Sequence, residues 1–491
     1  MSVTSSVILK YLERFGTQIV TVVLNIILAR LLIPEDFGTL AILNVFVVLA
    51  QAISQNGINL ALIQKKTIDE DDYSTGFVLC FAFSALLYFM IFCGAPLVSF
   101  LYNTELITVY LRTISISLFP GAVNAIYLAK TMREMRFGII MITGIISTIS
   151  SCIIGVIMAY LGFGVWSLIF SQIILAVILC VTLTLSLKWK LAIIFSFQRA
   201  KSILSYGYKI VLGSMLDNLY YDVESLFLGK MFSRSELGIF TNARTYPLRI
   251  VSSVKDTIAS VIFPAMSMKQ EDDVAMREIT KKSIQSFSFI VFPLMIGFSL
   301  VSKEFITLFL TEKWLGCLFP MQVFSIGVAL VALRSPNTQI IKAKGNASLY
   351  LKLECIQKAL LFLALIISAS ISRTINAISM GSLLSIILTT LITMELCGRK
   401  IHYGVFQQIK DIAPIIISVA FMSITILIFE KNISSDFSSM VTLLLKISIG
   451  VITFFVCALI SCRELLKGMI QSIRQTLYSF LKNSKLHGIK Q

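Results

Sequence analysis

The chain reads S-T-G-F-V-L-C-F-A-F-S-A-L-L-Y-F-M-I-F-C-G-A-P-L-V-S-F-L at residues 74–101, without one charged side chain. The hydrocarbon core of a bilayer is about 30 Å thick, and a helix needs about 20 apolar residues to cross it. This stretch is long enough, and similar runs recur along the chain. Hydrophobic residues make up 57% of the 491 positions and charged residues only 14%, which indicates that lipid is the solvent.

Fourteen apolar runs are predicted to cross the membrane as helices. They lie near residues 11–33, 38–62, 74–101, 107–129, 137–161, 163–187, 205–229, 236–264, 283–309, 314–333, 348–371, 374–397, 411–429 and 438–462. The sequence therefore predicts an all-α polytopic membrane protein with about 14 transmembrane helices.

The gaps between these runs differ in their content of Lys and Arg. Short cytoplasmic loops retain basic residues, so the basic gaps are assigned to the cytoplasmic side. One set of alternate gaps and the C-terminal tail are rich in Lys and Arg. The other set has only Arg30, Lys230, Arg234, Lys313, Arg373 and Lys431. Both termini are therefore predicted to be cytoplasmic, and the net charge of +16 favours an anionic leaflet rather than nucleic acid.

A pattern near residue 30 is repeated at a constant offset of 200. L-A-R-L-L-I-P-E-D-F-G at 28–38 matches L-G-K-M-F-S-R-S-E-L-G at 228–238 in the spacing of a leucine, a basic residue, an acidic residue and a glycine. Each copy closes the first run of a block of six and opens the second. Six is an even number, so both blocks have the same orientation, as in transporters built from parallel repeats.

This duplication predicts how the chain is divided. We expect an N-terminal six-helix lobe at 1–200 and a C-terminal six-helix lobe at 201–400. Two additional transmembrane helices follow at 401–462. The segment 463–491 is predicted to be a basic amphipathic cytoplasmic tail that lies on the inner leaflet.

Cysteine and histidine are not arranged like the ligands of a metal centre. The nine cysteines lie within or at the ends of apolar runs without a C-x-x-C pair, and His402 and His487 lie in basic segments. The outward gaps are also too short for the acids and bases of an enzyme that joins sugars. We expect no enzyme activity, no metal and no cofactor; a coupling ion, H⁺ or Na⁺, is left open.

Five short motifs resemble those of one known family. They are R-L-L-I-P-E-D-F-G at 30–38, G-I-N-L-A-L-I-Q-K-K at 57–66, R-E-M-R-F at 133–137, E-L-G-I-F-T-N-A at 236–243 and F-P-A-M-S at 263–267. Their order and spacing are similar to those of polysaccharide exporters of the MOP flippase superfamily, in the Wzx and WzxC-like group encoded with bacterial surface polysaccharides.

The resemblance implies a fold and a function. The expected fold has two MATE-like six-helix lobes around a central cavity. The expected function is transport of undecaprenyl-diphosphate-linked oligosaccharide repeats to the outer leaflet of the bacterial cytoplasmic membrane, for O-antigen, capsule or exopolysaccharide assembly. The implied partners are this lipid-linked substrate, membrane lipids and other polysaccharide-assembly proteins.

Ionisable groups inside membrane spans are costly, so they are the first candidates for a binding site. Basic residues outnumber acidic ones within the predicted spans, and such a set suits an anion. In this interpretation, diphosphate oxygens are bound by Arg249, Lys255, Lys352, Lys358, Arg112 and Arg244. Lys446 lies outside both predicted lobes, so we expect it to contact lipid headgroups or a helix end.

Two smaller polar sets have two interpretations each. The carboxylates of the seventh span serve ion coupling or form salt bridges to the eighth span; they are Asp217, Asp222 and Glu224. The amides of the second span share one helix face and contact sugars or join neighbouring helices; they are Asn44, Gln51 and Gln55.

The sequence favours alternating-access transport of a lipid-linked oligosaccharide, with the polyprenyl tail left in lipid. A MATE-like multidrug or cation antiporter is the alternative within transport, and its cavity should carry unpaired carboxylates. A membrane-embedded polysaccharide polymerase or ligase is the alternative from another class of protein.

Overall fold

The computed structural model describes residues 20–65, 67–189, 192–432, 438–463 and 465–467, with residues 16 and 18, and their side chains except at 206, 209–222, 253, 256–261 and 347. All regular secondary structure within these residues is helical. In chain order the helices are α1 Val20–Leu31, α2 Pro34–Gln64, α3 Glu70–Leu101, α4 Leu106–Arg133, α5 Phe137–Tyr160, α6 Val165–Leu187, α7 Phe197–Met231, α8 Arg234–Ser267, α9 Asp273–Leu300, α10 Glu312–Ala343, α11 Ser348–Ile371, α12 Ile375–Ile401, α13 Val405–Asn432 and α14 Ser439–Ser461.

Within the described part of the chain, 11 helices are long and apolar enough to cross a membrane. They are all of the helices above except α1, α7 and α8, which overlap the predicted spans 11–33, 205–229 and 236–264. The predicted class, an all-α multi-pass membrane protein, is confirmed. The count of 14 spans stays a prediction.

The chain divides into two compact units. Unit 1 contains Met1–Asn242 together with Phe309–Trp314, and unit 2 contains Ala243–Leu308 and Leu315–Gln491. The predicted lobes 1–200 and 201–400 and the additional pair 401–462 stay a prediction. The predicted tail 463–491 lies outside the described residues except for 463 and 465–467.

In unit 1, the two matched stretches begin α2 and α8 in the same way. The first amides of a helix have no partner within it, and an acidic side chain three residues on can accept from the residue before the helix. The backbone N–H of Ile33 donates to Asp36 Oδ2 at 3.1 Å. The N–H of Ser233 donates to Glu236 Oε2 at 3.0 Å. The matched acidic residues therefore cap two equivalent helix starts.

The matched glycines lie where these two helix starts meet. A Cβ added to Gly38 would lie 1.8 Å from the carbonyl oxygen of Arg234, and one added to Gly238 would lie 1.8 Å from that of Pro34. No side chain fits in either place, so both positions require glycine for a close approach of two backbones. The contact is reciprocal, as the predicted duplication requires.

At the opposite end of unit 1, acidic residues at the start of α3 form an ion network. Asp72 is buried and pairs with Lys65 at 2.5 Å. Arg199 of α7 pairs with Asp71 at 3.3 Å and with Asp72 at 3.1 Å. It also bonds to Asp69, and this contact lowers the pKa of the Asp69 carboxyl below its ordinary value. The network ties α7 to the start of α3.

In unit 2, the core is built around α9. Phe287, Val291 and Met295 of this helix are fully buried. They lie in one apolar cluster with residues of α10, α12 and α13, among them Ile340 and Ile415. The helix therefore packs on several sides rather than facing lipid all round.

Lys446 of α14 is fully buried and forms the centre of an ion triad. Its Nζ lies 2.7 Å from Glu304 Oε1 and 3.0 Å from Glu430 Oε2. Glu304 lies in the short helix Ser302–Phe305 after α9, and Glu430 lies near the end of α13. The prediction that Lys446 contacts lipid headgroups or a helix end was wrong, because two carboxylates from other helices surround it.

Removing this lysine should destabilise the protein by about 3–5 kcal/mol, because a buried carboxylate would lose its counter-charge. We expect Lys446→Met to lower the unfolding midpoint in detergent strongly. The double variant Lys446→Met with Glu304→Gln should recover most of the loss, since Glu430 is partly exposed. The control is Lys431→Met, an exposed lysine near the same end of α13. Equal midpoints for the single and double variants would contradict a stabilising triad.

Candidate functional site

Five of the six predicted anion-binding residues lie in unit 2. On α8, Arg244 and Arg249 are half-buried and Lys255 is exposed. On α11, Lys352 is exposed and Lys358 is half-buried. The basic residues therefore lie on two helices of one unit, and their binding of an anion stays a prediction.

The carboxylate nearest in sequence to these lysines has its own partner. Glu354 of α11 lies 3.7 Å from Arg334 of α10. Arg334 lies one residue beyond the predicted span 314–333, but in the structure it lies within α10 and reaches α11. Glu354 therefore does not account for Lys352, which makes no ion pair within the described residues.

Arg112, in unit 1, makes a contact that the sequence analysis did not foresee. Its Nε donates to the carbonyl oxygen of Phe92 at 3.1 Å, and its guanidinium lies 3.9 Å from the centre of the Phe92 ring. In a helix this carbonyl would accept from the amide of residue 96, but that residue is Pro96 and has no N–H. Arg112 therefore replaces a missing backbone donor of α3, and its predicted role toward substrate stays a prediction.

The predicted amides lie along α2, where the helix is locally widened. Ala52–Asn56 form a π-helical turn, a feature often found at functional positions. Gln55 lies in this turn, is buried, and donates to the carbonyl oxygen of Leu118 at 3.2 Å. Asn44 and Gln51 are half-buried. The Gln55 contact joins α2 to α4, the second of the two interpretations offered for these residues.

The predicted carboxylates of α7 are only partly described. Glu224 is buried at 2% exposure and belongs to the polar groups of unit 1. The side chains of Asp217 and Asp222 lie outside the described residues. Their assignment to coupling or to salt bridges stays a prediction.

Sequence reasoning missed the partners of several charges. Arg334 and Glu354 lie on the consecutive helices α10 and α11, so an ion pair between them could have been suspected from the sequence. Glu304 and Lys446 are 142 residues apart, and no local pattern joins them. Only the packing of α14 against the end of α9 brings that pair together.

The fold of the chain matches solved structures of transport proteins. A solved structure described as lipid II flippase MurJ in an inward closed conformation matches with a TM-score of 0.76 at 15% identity, over 94% of this chain and 100% of that chain. A multidrug resistance MATE transporter of the MOP superfamily in an inward-facing conformation matches with a TM-score of 0.62 at 13% identity, over 80% and 98%. The chain therefore shares the fold of these two proteins.

The family follows from the sequence. A family model described as "polysaccharide biosynthesis protein" matches residues 27–319, and the chain belongs to this family. Teichuronic acid biosynthesis protein TuaB of Bacillus subtilis is 24% identical over 62% of this chain and 63% of that protein. Lipopolysaccharide biosynthesis protein WzxC of Escherichia coli is 22% identical over 78% of each chain. The chain spans less than two thirds of the length of TuaB. The predicted resemblance to MOP flippases is confirmed.

The contact between Arg112 and the carbonyl of Phe92 predicts a coupling between two substitutions. Arg112→Ala alone should destabilise the protein, because a helix carbonyl loses its donor. In a Pro96→Ala background the new amide supplies that donor, so the same substitution should cost about 0.5–1.5 kcal/mol less. Unfolding midpoints of the four proteins in detergent measure the coupling. An equal cost in both backgrounds would show that the guanidinium does not replace the proline's missing N–H.

Proposed function

We propose that this protein carries oligosaccharide repeats linked to undecaprenyl diphosphate from the cytoplasmic to the outer leaflet of the bacterial cytoplasmic membrane. Its family and its MurJ-like fold support a flippase for a lipid-linked polysaccharide precursor. Alternating access is the mechanism that parallel six-helix repeats favour. The polyprenyl tail stays in lipid while the charged diphosphate and the sugars cross.

One observation carries the choice of an anionic head group. Two described carboxylates of the unit 2 helices have basic partners, Glu354 at 3.7 Å from Arg334 and Glu304 at 2.7 Å from Lys446. Lys352 then contributes positive charge that no described carboxylate balances. A diphosphate supplies the missing negative charge, with Arg binding oxygens through a bidentate fork and Lys as a compact point charge.

The same observation argues against a cation antiporter. A site for organic cations needs carboxylates without a basic partner. Glu354 and Glu304 each have a basic partner within ion-pair distance. The MATE-like fold is shared with drug transporters, but a fold does not determine the substrate. The charge of the membrane helices therefore favours the lipid-linked anion.

Lys352 is the residue whose removal tests this assignment. Lys352→Ala should lower export about ten- to hundredfold at limiting substrate, because a hydrogen bond to a charged group contributes about 1.5–3 kcal/mol. Lys352→Arg should retain export. The matched control is Lys282→Ala, an exposed lysine of the same unit that pairs only with Glu278 one turn away. Export is measured as surface polysaccharide in a deletion strain, normalised to the amount of protein in the membrane. Unchanged export in Lys352→Ala would remove this residue from the site.

A reconstituted assay tests the substrate class. Proteoliposomes containing the purified protein should move a fluorescent oligosaccharide linked to polyprenyl diphosphate, detected by its exposure to a membrane-impermeant quencher. We expect slower movement of the same oligosaccharide on a monophosphate carrier, which offers fewer oxygens and less charge to the basic residues. Cationic dyes should not be transported. Faster transport of dyes than of the diphosphate lipid would contradict the proposal and favour the antiporter.

A further inference from the structure

A groove with apolar walls opens on the surface of unit 2, between α9, α10, α12 and α13. Its lining includes Phe292 of α9, Ile326 of α10, Leu391 of α12 and Ile409 of α13. The groove has a volume of about 440 Å³, which lies within the range of ligand-binding pockets. We call it the inner groove, because it begins near the end of α13 that the basic residues assign to the cytoplasmic side.

The sizes of the lining side chains create the groove. Ala329 and Thr390 are small and buried, and they form its floor. Leu391 and Ile416 are large and exposed, and they form part of its rim. The hydroxyl of Thr390 donates to the carbonyl oxygen of Ile386 at 2.7 Å, so this polar group is satisfied within its own helix. The floor and the rim therefore suit a hydrocarbon chain.

The length of the groove matches one leaflet of the bilayer. Its lining residues on α13 run from Ile409 to Ala420, which is about 16 Å at a rise of 1.5 Å per residue. Ile409 lies one turn after the start of α13 at Val405. The hydrocarbon core is about 30 Å thick, so the groove covers about half of it. An acyl chain of an inner-leaflet phospholipid has this reach, whereas an undecaprenyl chain is much longer.

Basic side chains lie at the cytoplasmic end of the groove. Lys400 lies in the last turn of α12, and Lys410 directly follows the lining residue Ile409. Both lysines are exposed, and their ammonium groups make no ion pair or hydrogen bond within the described part of the chain. Basic pockets between membrane helices on the cytoplasmic side bind anionic lipid head groups. A phosphate here would complement the charge of the two lysines.

The turn between α12 and α13 is held in place by buried polar groups. Gln408 is fully buried, and its Nε2 donates to the carbonyl oxygen of Tyr403 at 2.8 Å. Its Oε1 accepts from Asn337 Nδ2 at 2.8 Å. A Cβ added to Gly398 would lie 2.1 Å from the carbonyl oxygen of Tyr403, so the two backbones meet closely. The turn is therefore preformed, and a preformed site binds with a smaller loss of conformational entropy.

We infer that the inner groove binds an anionic phospholipid of the inner leaflet, with one acyl chain between the helices and the phosphate at Lys400 and Lys410. The half-bilayer length and the charge at one end select this occupant over a chain that spans both leaflets. The bound lipid fills the space between α13 and the helices α10 and α12. The inference does not depend on which substrate the protein carries.

The first experiment tests the head group. The purified protein in detergent is titrated with phosphatidylglycerol or with phosphatidylcholine of the same acyl chains, and bound lipids are counted by native mass spectrometry. Lys400→Gln with Lys410→Gln should weaken the binding of phosphatidylglycerol about tenfold and leave that of phosphatidylcholine unchanged. The matched control is Lys269→Gln with Lys282→Gln, which removes the same charge from two exposed lysines that do not line the groove. It should leave both affinities unchanged.

A second variant tests the acyl chain. Ala420 lines the groove and is exposed, so Ala420→Phe places a ring where the chain lies. This variant should weaken the binding of both lipids about tenfold, since the contact with the hydrocarbon chain is common to them. The control is Ala82→Phe, at an exposed alanine of α3 in unit 1. Unfolding midpoints without added lipid show whether each variant is folded.

Photolabelling of the wild-type protein locates the chain without any substitution. Phosphatidylglycerol with a diazirine in its acyl chain should label the peptides of α12 and α13 that contain Leu391 and Ile416. Labelling only outside these peptides overturns the groove as the site. Equal affinity for phosphatidylglycerol in the Lys400 and Lys410 double variant and in its control overturns the head-group contact.

Competition with a polyprenyl lipid separates this inference from the proposed function. If an equal concentration of undecaprenyl diphosphate abolishes the labelling, the groove holds the tail of the substrate and the phospholipid assignment is wrong. Labelling that persists supports a phospholipid. Failure of the protein to move the diphosphate-linked lipid in proteoliposomes contradicts the proposed function and leaves these binding measurements unaffected.

Discussion

Lipid offers no hydrogen bond to a peptide group and no solvation to a charge, and the polar contacts made inside the described membrane helices follow from that constraint. A helix satisfies its own amides and carbonyls except at its ends and beside proline. Lys230 meets the last carbonyl of α3, and Arg112 meets the carbonyl that Pro96 leaves open. Arg112, one of the predicted substrate ligands, is therefore also a side chain that the backbone needs.

The described cations discussed above fall into three groups by partner. Arg30, Lys230 and Arg112 bond to carbonyl oxygens, while Arg334 and Lys446 bond to carboxylates. Lys352 has neither among the described residues. A count of charges along the sequence treats all of these cations alike. The contacts separate the cations that bond to protein groups from Lys352, which does not. The case for a lipid diphosphate rests on this smaller group.

Much of the fold could be predicted because hydropathy is a local property. Apolar runs coincide with the 11 candidate spans, and the acidic residues at 36 and 236, matched at an offset of 200, mark equivalent helix starts. The ion-pair partners of the charged side chains could not be predicted, because they depend on which helices pack against each other. Lys446 was predicted to lie outside both lobes, and Arg334 lies one residue beyond the predicted span 314–333. Both are placed by tertiary packing that leaves no periodic trace in the sequence.

The buried triad also bears on how this protein can be recombined with its relatives. Lys446 belongs to the last helix, but its carboxylate partners belong to the segment after α9 and to the end of α13. The C-terminal pair of helices is therefore not a free module. A chimera whose last helix lacks a lysine at this position would leave Glu304 inside the bilayer without its counter-charge.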